Sequence, residues 1–440
     1  MRFENRAVEK ARRTDKMSGL DGKEKLYNSR GLLERSSYDT HILPSLRDDP
    51  KLDISNDDAT IVREYLDRQS PAYRAELHEL VKEAPPLSPT TKLSIAIPAY
   101  KEGVHIFKTL EHYAKLEDPS KFEVVILENH TTDVPRDTTA SEIARFKEQY
   151  PDIQITHLYK TFDQKRIGGV RKYLTDSILE RKQEAGRHDS IVIASNDADL
   201  EDINPKYVKL LIKAFENDPK LDAVCGGIDH PADSFVQFPL MHASIRFLSY
   251  FRMTLRRYMP DTLPLVGRNS AMRSGIYAAS GGYNEKAVVA EDIEIGRLIG
   301  HGRKNRPGHV RYLHNAWIET NPRREIESIL AGTPIIRRYD GFVSNEHMYD
   351  IPVEKLIEQG QDFSTEQFKT ELQAAYDHYK SHTNSEGGPL TDEAFAISYD
   401  RAMRFLGIKY HLQGDSVIID DLSKLTNELT RYGERNARAA

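Results

Sequence analysis

A chain of 440 residues with 39% hydrophobic and 30% charged content can bury a full-sized core, and a soluble globular protein is expected. Its 62 basic and 68 acidic residues are interspersed and leave a net charge of -6, so no basic track argues for nucleic acid as a partner. Cys225 is the sole cysteine, which rules out an intrachain disulfide and a thiolate metal cluster, and Met1-Arg2-Phe3-Glu4-Asn5-Arg6 lacks an apolar signal core, so the expected location is cytoplasmic.

Residues 1–48 are polar and charge-dense and read as an arm. Over residues 57–84, Ile61, Tyr65, Ala72, Leu77, Leu80 and Val81 recur at helical spacing with a break at Pro71, and Pro85-Pro86-Leu87-Ser88-Pro89 reads as a linker. The expected organisation is an N-terminal extension over 1–90, a central domain over 91–338 and a C-terminal helical region over 339–440. In the central part, strands are expected at 93–97, 122–127, 153–158, 191–194 and 223–225, separated by helices at 104–115, 139–149, 169–182 and 206–217. Continuous apolar runs mean strands covered on both faces, the parallel helix-sandwiched sheet of α/β proteins, where ligands sit at the carboxyl ends of strands.

The stretch 234–253 is interrupted by Gln237, His242, Arg246 and Arg252, whereas a membrane span needs roughly 20 apolar residues in succession, so no transmembrane segment is expected. The aromatics around it, among them Phe238, Tyr250 and Phe251, read most simply as a packed helix under an acceptor site; a peripheral membrane contact using Arg246, Arg252, Arg256 and Arg257 is the alternative. Beyond residue 338 the strand signal fades, and 353–359, 365–380, 392–406 and 418–432 read as helices.

Chemistry concentrates at the ends of the predicted strands. Asp197-Ala198-Asp199 follows an apolar run and can hold a hard divalent cation against a diphosphate. After the first strand comes Ile97-Pro98-Ala99-Tyr100-Lys101-Glu102-Gly103, and after the second Glu128-Asn129-His130-Thr131-Thr132-Asp133, where Glu128 is placed to accept from a nucleobase edge. Lys165-Arg166-Ile167-Gly168-Gly169-Val170-Arg171 opens a helix with cations around a glycine pair, an anion site in the making.

In this order the four elements resemble the nucleotide-binding half of the family 2 glycosyltransferases, with their I-P-x-Y-N-E, D-D-x-S-x-D, basic glycine-containing helix start and D-x-D. Gly267-Arg268-Asn269-Ser270-Ala271-Met272-Arg273, Gly281-Gly282-Tyr283-Asn284-Glu285 and Ala290-Glu291-Asp292-Ile293-Glu294-Ile295 resemble the acceptor half's G-x-N-x-x-x-R, G-G-[FY]-x-E and E-D-x-E-L. The resemblance covers about residues 93–324. It implies an α/β protein of GT-A type, Rossmann-like, with a mostly parallel sheet, helices on both faces, and helical N- and C-terminal extensions.

The implied activity is transfer of a sugar from a nucleoside diphosphate sugar to a hydroxyl acceptor, inverting and non-processive, with Mn2+ or Mg2+ as cofactor. Asp199 would be the metal ligand, with Asp197 beside it, and His314 or Glu319 would complete the metal site. Pro98, Tyr100, Glu102 and Glu128 would surround the base and ribose, while Arg166, Gly168 and Arg171 face the diphosphate. Gly267, Asn269, Gly282 and Tyr283 would bind acceptor, and Asp292, preceded by Glu291, would be the base. Glu128 departs from the family's Asp, and His130 stands where a small residue is usual, which leaves uridine and guanosine donors both open. The rival readings are a nucleotidyltransferase of related fold, disfavoured by the lack of a glycine-rich basic loop after the first strand, and a catalytically silent scaffold.

Overall fold

The computed structural model describes residues 57–132, 135–163, 166–231, 235, 239–256, 265–287, 291–301, 309–322, 364–380 and 391–425. They fall into two compact units, one drawn from within Tyr38–Asp229 and Leu263–Thr320, the other from within His230–Thr262 and Asn321–Ala440.

In the first unit the chain order is α1 (Asp58–Asp67), α2 (Pro71–Val81), β1 (Leu93–Ala99), α3 (His105–Ala114), β2 (Phe122–Thr131), α4 (Thr139–Gln149), β3 (Ile155–Phe162), α5 (Ile167–Glu184), β4 (Val192–Asn196), β5 (Leu200–Ile203), α6 (Tyr207–Asn217) and β6 (Ala223–Asp229). After α7 (Pro239–Arg256), which belongs to the second unit, come β7 (Asn269–Arg273), α8 (Ser274–Ala279), α9 (Glu291–His301) and β8 (Val310–Thr320). The helix break at Pro71 is real: Asp57 and Ser70 cap α1 and α2 by accepting from Thr60 and Tyr73, and Pro71 takes the first-turn position where its missing N–H costs nothing.

The sheet has eight strands in the order β3-β2-β1-β4-β7-β6-β8-β5. The β3-β2-β1-β4 side is parallel, β7 runs antiparallel to both β4 and β6, β8 is parallel to β6, and β5 closes the edge antiparallel to β8. Strand residues alternate between two cores. Ile95, Ile97, Val124 and Ile126 pack with Ile106 and Leu110 of α3, Phe146 of α4 and Leu211 of α6, while Ala96, Val125, Leu127 and Ile193 pack with Leu66 of α1, Leu174 and Ile178 of α5 and Ile276 of α8. The two-sided burial inferred from unbroken apolar runs is therefore realised by helices on both faces.

Helix α5 is buried along nearly its whole length, charges included, which is tolerable only when those charges are paired. Arg181 donates to both oxygens of Glu123 (3.1 and 2.9 Å) and to the Pro85 carbonyl, and Lys182 meets Asp58 at 2.9 Å.

The second unit packs Phe247 and Phe251 of α7 against α10 (Thr365–Lys380) and α11 (Asp392–Phe405) in an aromatic cluster with Tyr376, Phe395 and Tyr399. Phe247 and Phe251 of α7 are buried, while Tyr250 is half-buried and stacks on the exposed Phe405 ring. The helix expected over 418–432 is contradicted at its start: β9 (Lys409–Gln413) and β10 (Ser416–Asp421) form an antiparallel hairpin. Val417, Ile418 and Ile419 are β-branched, and Gly414 turns the chain at φ +63°, so the apolar pattern was that of a strand. The helix expected at 353–359 and the arm over 1–48 lie outside the described residues.

Candidate active site

The topology brings the motifs to one edge. The parallel strands β1, β2 and β4 end at Ala99, Thr131 and Asn196, and β7 starts beside the end of β4 because the two are antiparallel with Asn196 opposite Asn269. At the start of β5, Leu200 pairs with Thr320, the last residue of β8. Pro98 fits inside β1 because the pairing with β4 stops at Ala96↔Ser195, so the missing N–H breaks no ladder bond there.

Asp197 and Asp199 occupy the turn between β4 and β5, both half-buried around a buried Ala198 whose carbonyl accepts from Thr109 Oγ1 at 2.6 Å. That bond fixes the turn. Asp197 Oδ1 accepts from Arg171 Nη2 at 2.7 Å, and the same guanidinium donates through Nε to Glu291 at 2.8 Å and through Nη1 to Ser195. Arg171 is only 4% exposed. Three of its five N–H donors tie the acidic turn and the end of β4 to the start of α9. Its own pKa is raised, the Asp197 and Glu291 charges outweighing burial.

Glu291 is pushed up to about 7 by burial and by the neighbouring Asp292 charge, with Arg171 opposing. Asp292 is half-buried and held by two backbone donors, Gly267 N–H to Oδ2 at 2.6 Å and Ile293 N–H to Oδ1 at 2.8 Å. The missing Cβ at Gly267 leaves room for the Arg171 guanidinium, since a Cβ there would stand 2.8 Å from Arg171 Nη2. The structure thus brings Asp197, Glu291, Asp292, Gly267 and Arg171 into one connected network.

Other expected site residues have different work. Glu128 is fully buried, and both its oxygens are occupied: Arg136 donates to them at 3.1 and 2.9 Å, and His130 and His157 bond at 3.1 and 2.9 Å. Against the upward push of burial, His157 and Arg136 hold its carboxyl down at about 2. Direct reading of a base edge by Glu128 is therefore not what this arrangement provides. Arg136 lies over the Tyr159 ring at 4.0 Å, and His130 sits between Tyr100 and Tyr159 at 6.1 and 5.8 Å, giving an aromatic and cationic surface above β1 to β3. Half-buried Glu102 donates its N–H to Thr139 Oγ1 at 3.0 Å, which anchors the β1 exit loop to α4.

Gly168 donates its N–H to the Ala287 carbonyl at 3.0 Å, and a Cβ would lie 2.0 Å from Asn284 O, so this glycine serves close packing instead of a phosphate. Arg166 caps the same helix, half-buried. Asn269 is buried and pegs the sheet, donating to Gly227 O and Ala316 O at 2.7 and 2.9 Å and accepting from Tyr207 at 2.9 Å; it has no surface left for an acceptor. Gly282 adopts φ +75° in a turn, and Tyr283 is buried, its phenol pushed up to about 12 by that burial.

His314 is exposed and lies in the irregular stretch of β8 between Leu313 and Trp317, where the register with β6 shifts at Gly226 and Gly227. Glu319 is half-buried and paired in register with Asp202 and Asp229. Among the described residues the three-ligand groups with metal spacing are His78, Glu180, Glu184 and Glu128, His130, Asp137, neither of which includes the Asp197–Asp199 turn. Sequence reasoning missed Ser195, Arg136 and His157. Arg136 could have been found as the cation eight residues after Glu128 in a loop; the other two carry no local mark.

No curated protein sequence matches the chain. Among solved structures, similarity extends to the mannosyltransferase PcManGT from Pyrobaculum calidifontis in complex with GDP-Man and Mn2+ (14% identity, 79% of this chain and 91% of that one, TM-score 0.39). S. aureus TarS 1-349 is similar at 13% identity over 75% of this chain and 96% of that one, TM-score 0.34. Glucosyl-3-phosphoglycerate synthase from Mycobacterium tuberculosis, with Mn2+, UDP and phosphoglyceric acid, is similar at 16% identity over 63% and 83%, TM-score 0.33. Among the described residues no helix is long and apolar enough to cross a membrane. The sequence model described as glycosyltransferase like family 2 matches residues 89–327, more than half of the chain and the whole stretch that carries the acidic turn, Arg171 and the Glu291–Asp292 helix start, so the protein belongs to the family 2-like glycosyltransferases.

Proposed function

We propose that this enzyme transfers one sugar from a nucleoside diphosphate sugar to a hydroxyl acceptor with inversion, and that it is not processive. The observation that carries the reading is the Arg171 bridge, which joins Asp197 of the acidic turn to Glu291 beside Asp292 and so sets donor-side and acceptor-side carboxyls in one cluster. Inversion needs a single base on the face opposite the departing diphosphate.

Asp292 is suited to that role. Each of its oxygens accepts one backbone N–H and keeps a second lone pair, so either can take the acceptor hydroxyl's proton while the backbone bonds hold the carboxylate's direction. Glu291, raised to about 7, is neutral in a large part of the population near neutrality, which limits repulsion against Asp292. Asp199 and Asp197 present hard oxygen donors on a turn fixed by Thr109, the chemistry that suits Mn2+ or Mg2+ when substrate phosphate oxygens complete the shell. When bound, such a cation stabilises the negative charge that develops on the leaving diphosphate. Tyr100, Tyr159 and Arg136 supply a stacking surface for the nucleobase.

The absence of Q-x-x-R-W supports a single transfer: the only tryptophan, Trp317, follows Ala316. The deciding experiment is a screen of nucleoside diphosphate sugars for diphosphate release with and without Mn2+. Asp199→Ala and Asp292→Asn should each lower release by about 100-fold or more. Normal transfer by both variants would remove the assignment, and product NMR of the anomeric proton checks inversion.

A further inference from the structure

We infer that Tyr65 and Tyr277 are positioning residues for the transfer site, and that through them the helix α1, which precedes the family-matched segment, belongs to the catalytic machinery. The inference rests on the reading of Arg171, Glu291 and Asp292 given above.

Asp176 on α5 is fully buried and accepts from four donors: Tyr65 at 2.9 and 3.1 Å, Tyr73 at 2.7 Å, Tyr277 at 2.8 Å and Lys172 at 2.9 Å. Lys172 also donates to the Tyr65 hydroxyl at 2.6 Å. Three of these donors come from different helices, α1, α2 and α8, so the carboxylate fixes the phenols in three dimensions. Burial and the Asp176 charge raise the Tyr65 and Tyr277 phenols well above their usual range, which keeps them protonated as donors. Helix α1 is pinned a second time where Asp58 accepts from Ser274 Oγ at 2.8 Å and Gly275 N–H at 2.7 Å.

The two phenols carry the backbone of the next turn. A Cβ on Gly282 would lie 2.2 Å from the Tyr65 hydroxyl and 3.0 Å from that of Tyr277, so the main chain rests directly on them. The Tyr283 N–H points to the Tyr277 hydroxyl at 3.4 Å, and the two rings are 5.6 Å apart. The buried Tyr283 phenol in turn lies within reach of the Arg171 and Glu291 charges. The contacts run from Asp176 through Tyr65 and Tyr277 to the Gly281-Gly282-Tyr283 turn, and the buried Tyr283 ring sits within the field of Arg171, the residue that holds Asp197 and Glu291 together. An apolar contact would seat α1 equally well; directional bonds are what set the height of a turn.

The test uses the full chain with Tyr65→Phe, Tyr277→Phe and, as a control that also loosens a helix packed on α5, Arg74→Ala, which removes the Arg74–Glu180 bridge between α2 and α5. Diphosphate release is measured over a range of donor concentrations well below the unfolding temperature, together with amide exchange at Gly282 and Tyr283. Both Phe variants should lose about tenfold in kcat with donor KM unchanged and exchange faster at those amides, while Arg74→Ala keeps wild-type kcat and exchange. Wild-type kcat in both Phe variants, unchanged exchange at the turn, or an equal loss in Arg74→Ala would overturn the inference. A wild-type enzyme that releases diphosphate from no sugar nucleotide would instead overturn the functional reading, and the positioning role with it.

Discussion

Replacing Arg171 with Met should give a stability loss that grows with pH, because the guanidinium serves two carboxyls of different character. Below pH 6 Glu291, with its pKa near 7, is protonated in wild type and variant alike, so the loss there comes from the bonds to Asp197 and Ser195. Charged hydrogen bonds are worth about 1.5–3 kcal/mol each, and the 20% exposure of the Asp197 side chain lets water recover part of its share, so the cost near pH 6 is about 2–4 kcal/mol. Without Arg171 the Glu291 carboxyl loses the largest influence opposing its burial and the Asp292 charge, so its folded pKa moves above 7. Between the two folded values the wild type releases its proton and gains the Arg171 pairing, whereas the variant keeps the proton. The folded variant then binds more protons than the folded wild type, and the stability difference widens by about 1.4 kcal/mol per pH unit above 7 until the variant's own pKa is reached. Urea unfolding at pH 6, 7, 8 and 9 measures this, and Arg171→Met with Glu291→Gln should abolish the extra slope. A stability difference that stays constant from pH 6 to 9 would refute the assignment of Glu291 as the titrating partner.

Glu128 should act in the opposite direction: its carboxyl is held at about 2, so it stabilises the fold above its ordinary value near 4.5, and that stability is lost as pH falls toward 2. Acid unfolding followed by circular dichroism should show a smaller dependence over this range in Glu128→Gln than in wild type. Gly226→Ala would place a Cβ 2.3 Å from Asn269 Nδ2 and 2.4 Å from Ala316 O, and should cost about 1–3 kcal/mol by urea unfolding. Asn269→Ala strips partners from the Gly227 and Ala316 carbonyls and should cost about 3 kcal/mol or more, while diphosphate release per folded molecule is retained; a normal unfolding midpoint with lost release would restore an acceptor-binding role.

Much of the fold was legible locally. The break at Pro71, the helices at 139–149 and 206–217 and the strands that follow the linker all appear where periodicity put them, because period and capping report which face of a segment is covered. The C-terminal hairpin was misread since a short apolar run such as Val417-Ile418-Ile419 has no period of its own, and its strand character comes from pairing with Tyr410 and Leu412 across Gly414.

At the candidate site, the sequence by itself determined which chemistries gather: an acidic turn after β4, a cation-flanked glycine pair opening α5, and Glu291-Asp292 at the head of a helix. Strand order then obliged those segments to meet at one edge. Only the tertiary structure decided which group serves which. Arg171 reaches Ser195 and Glu291, 24 and 120 positions away, instead of pointing outward. Glu128 is closed off by Arg136 and two histidines, and Asn269 is spent on carbonyls of β6 and β8. A polar side chain removed from water takes the partner that geometry places nearest, and that choice is set by packing across the chain, where no neighbouring residue records it.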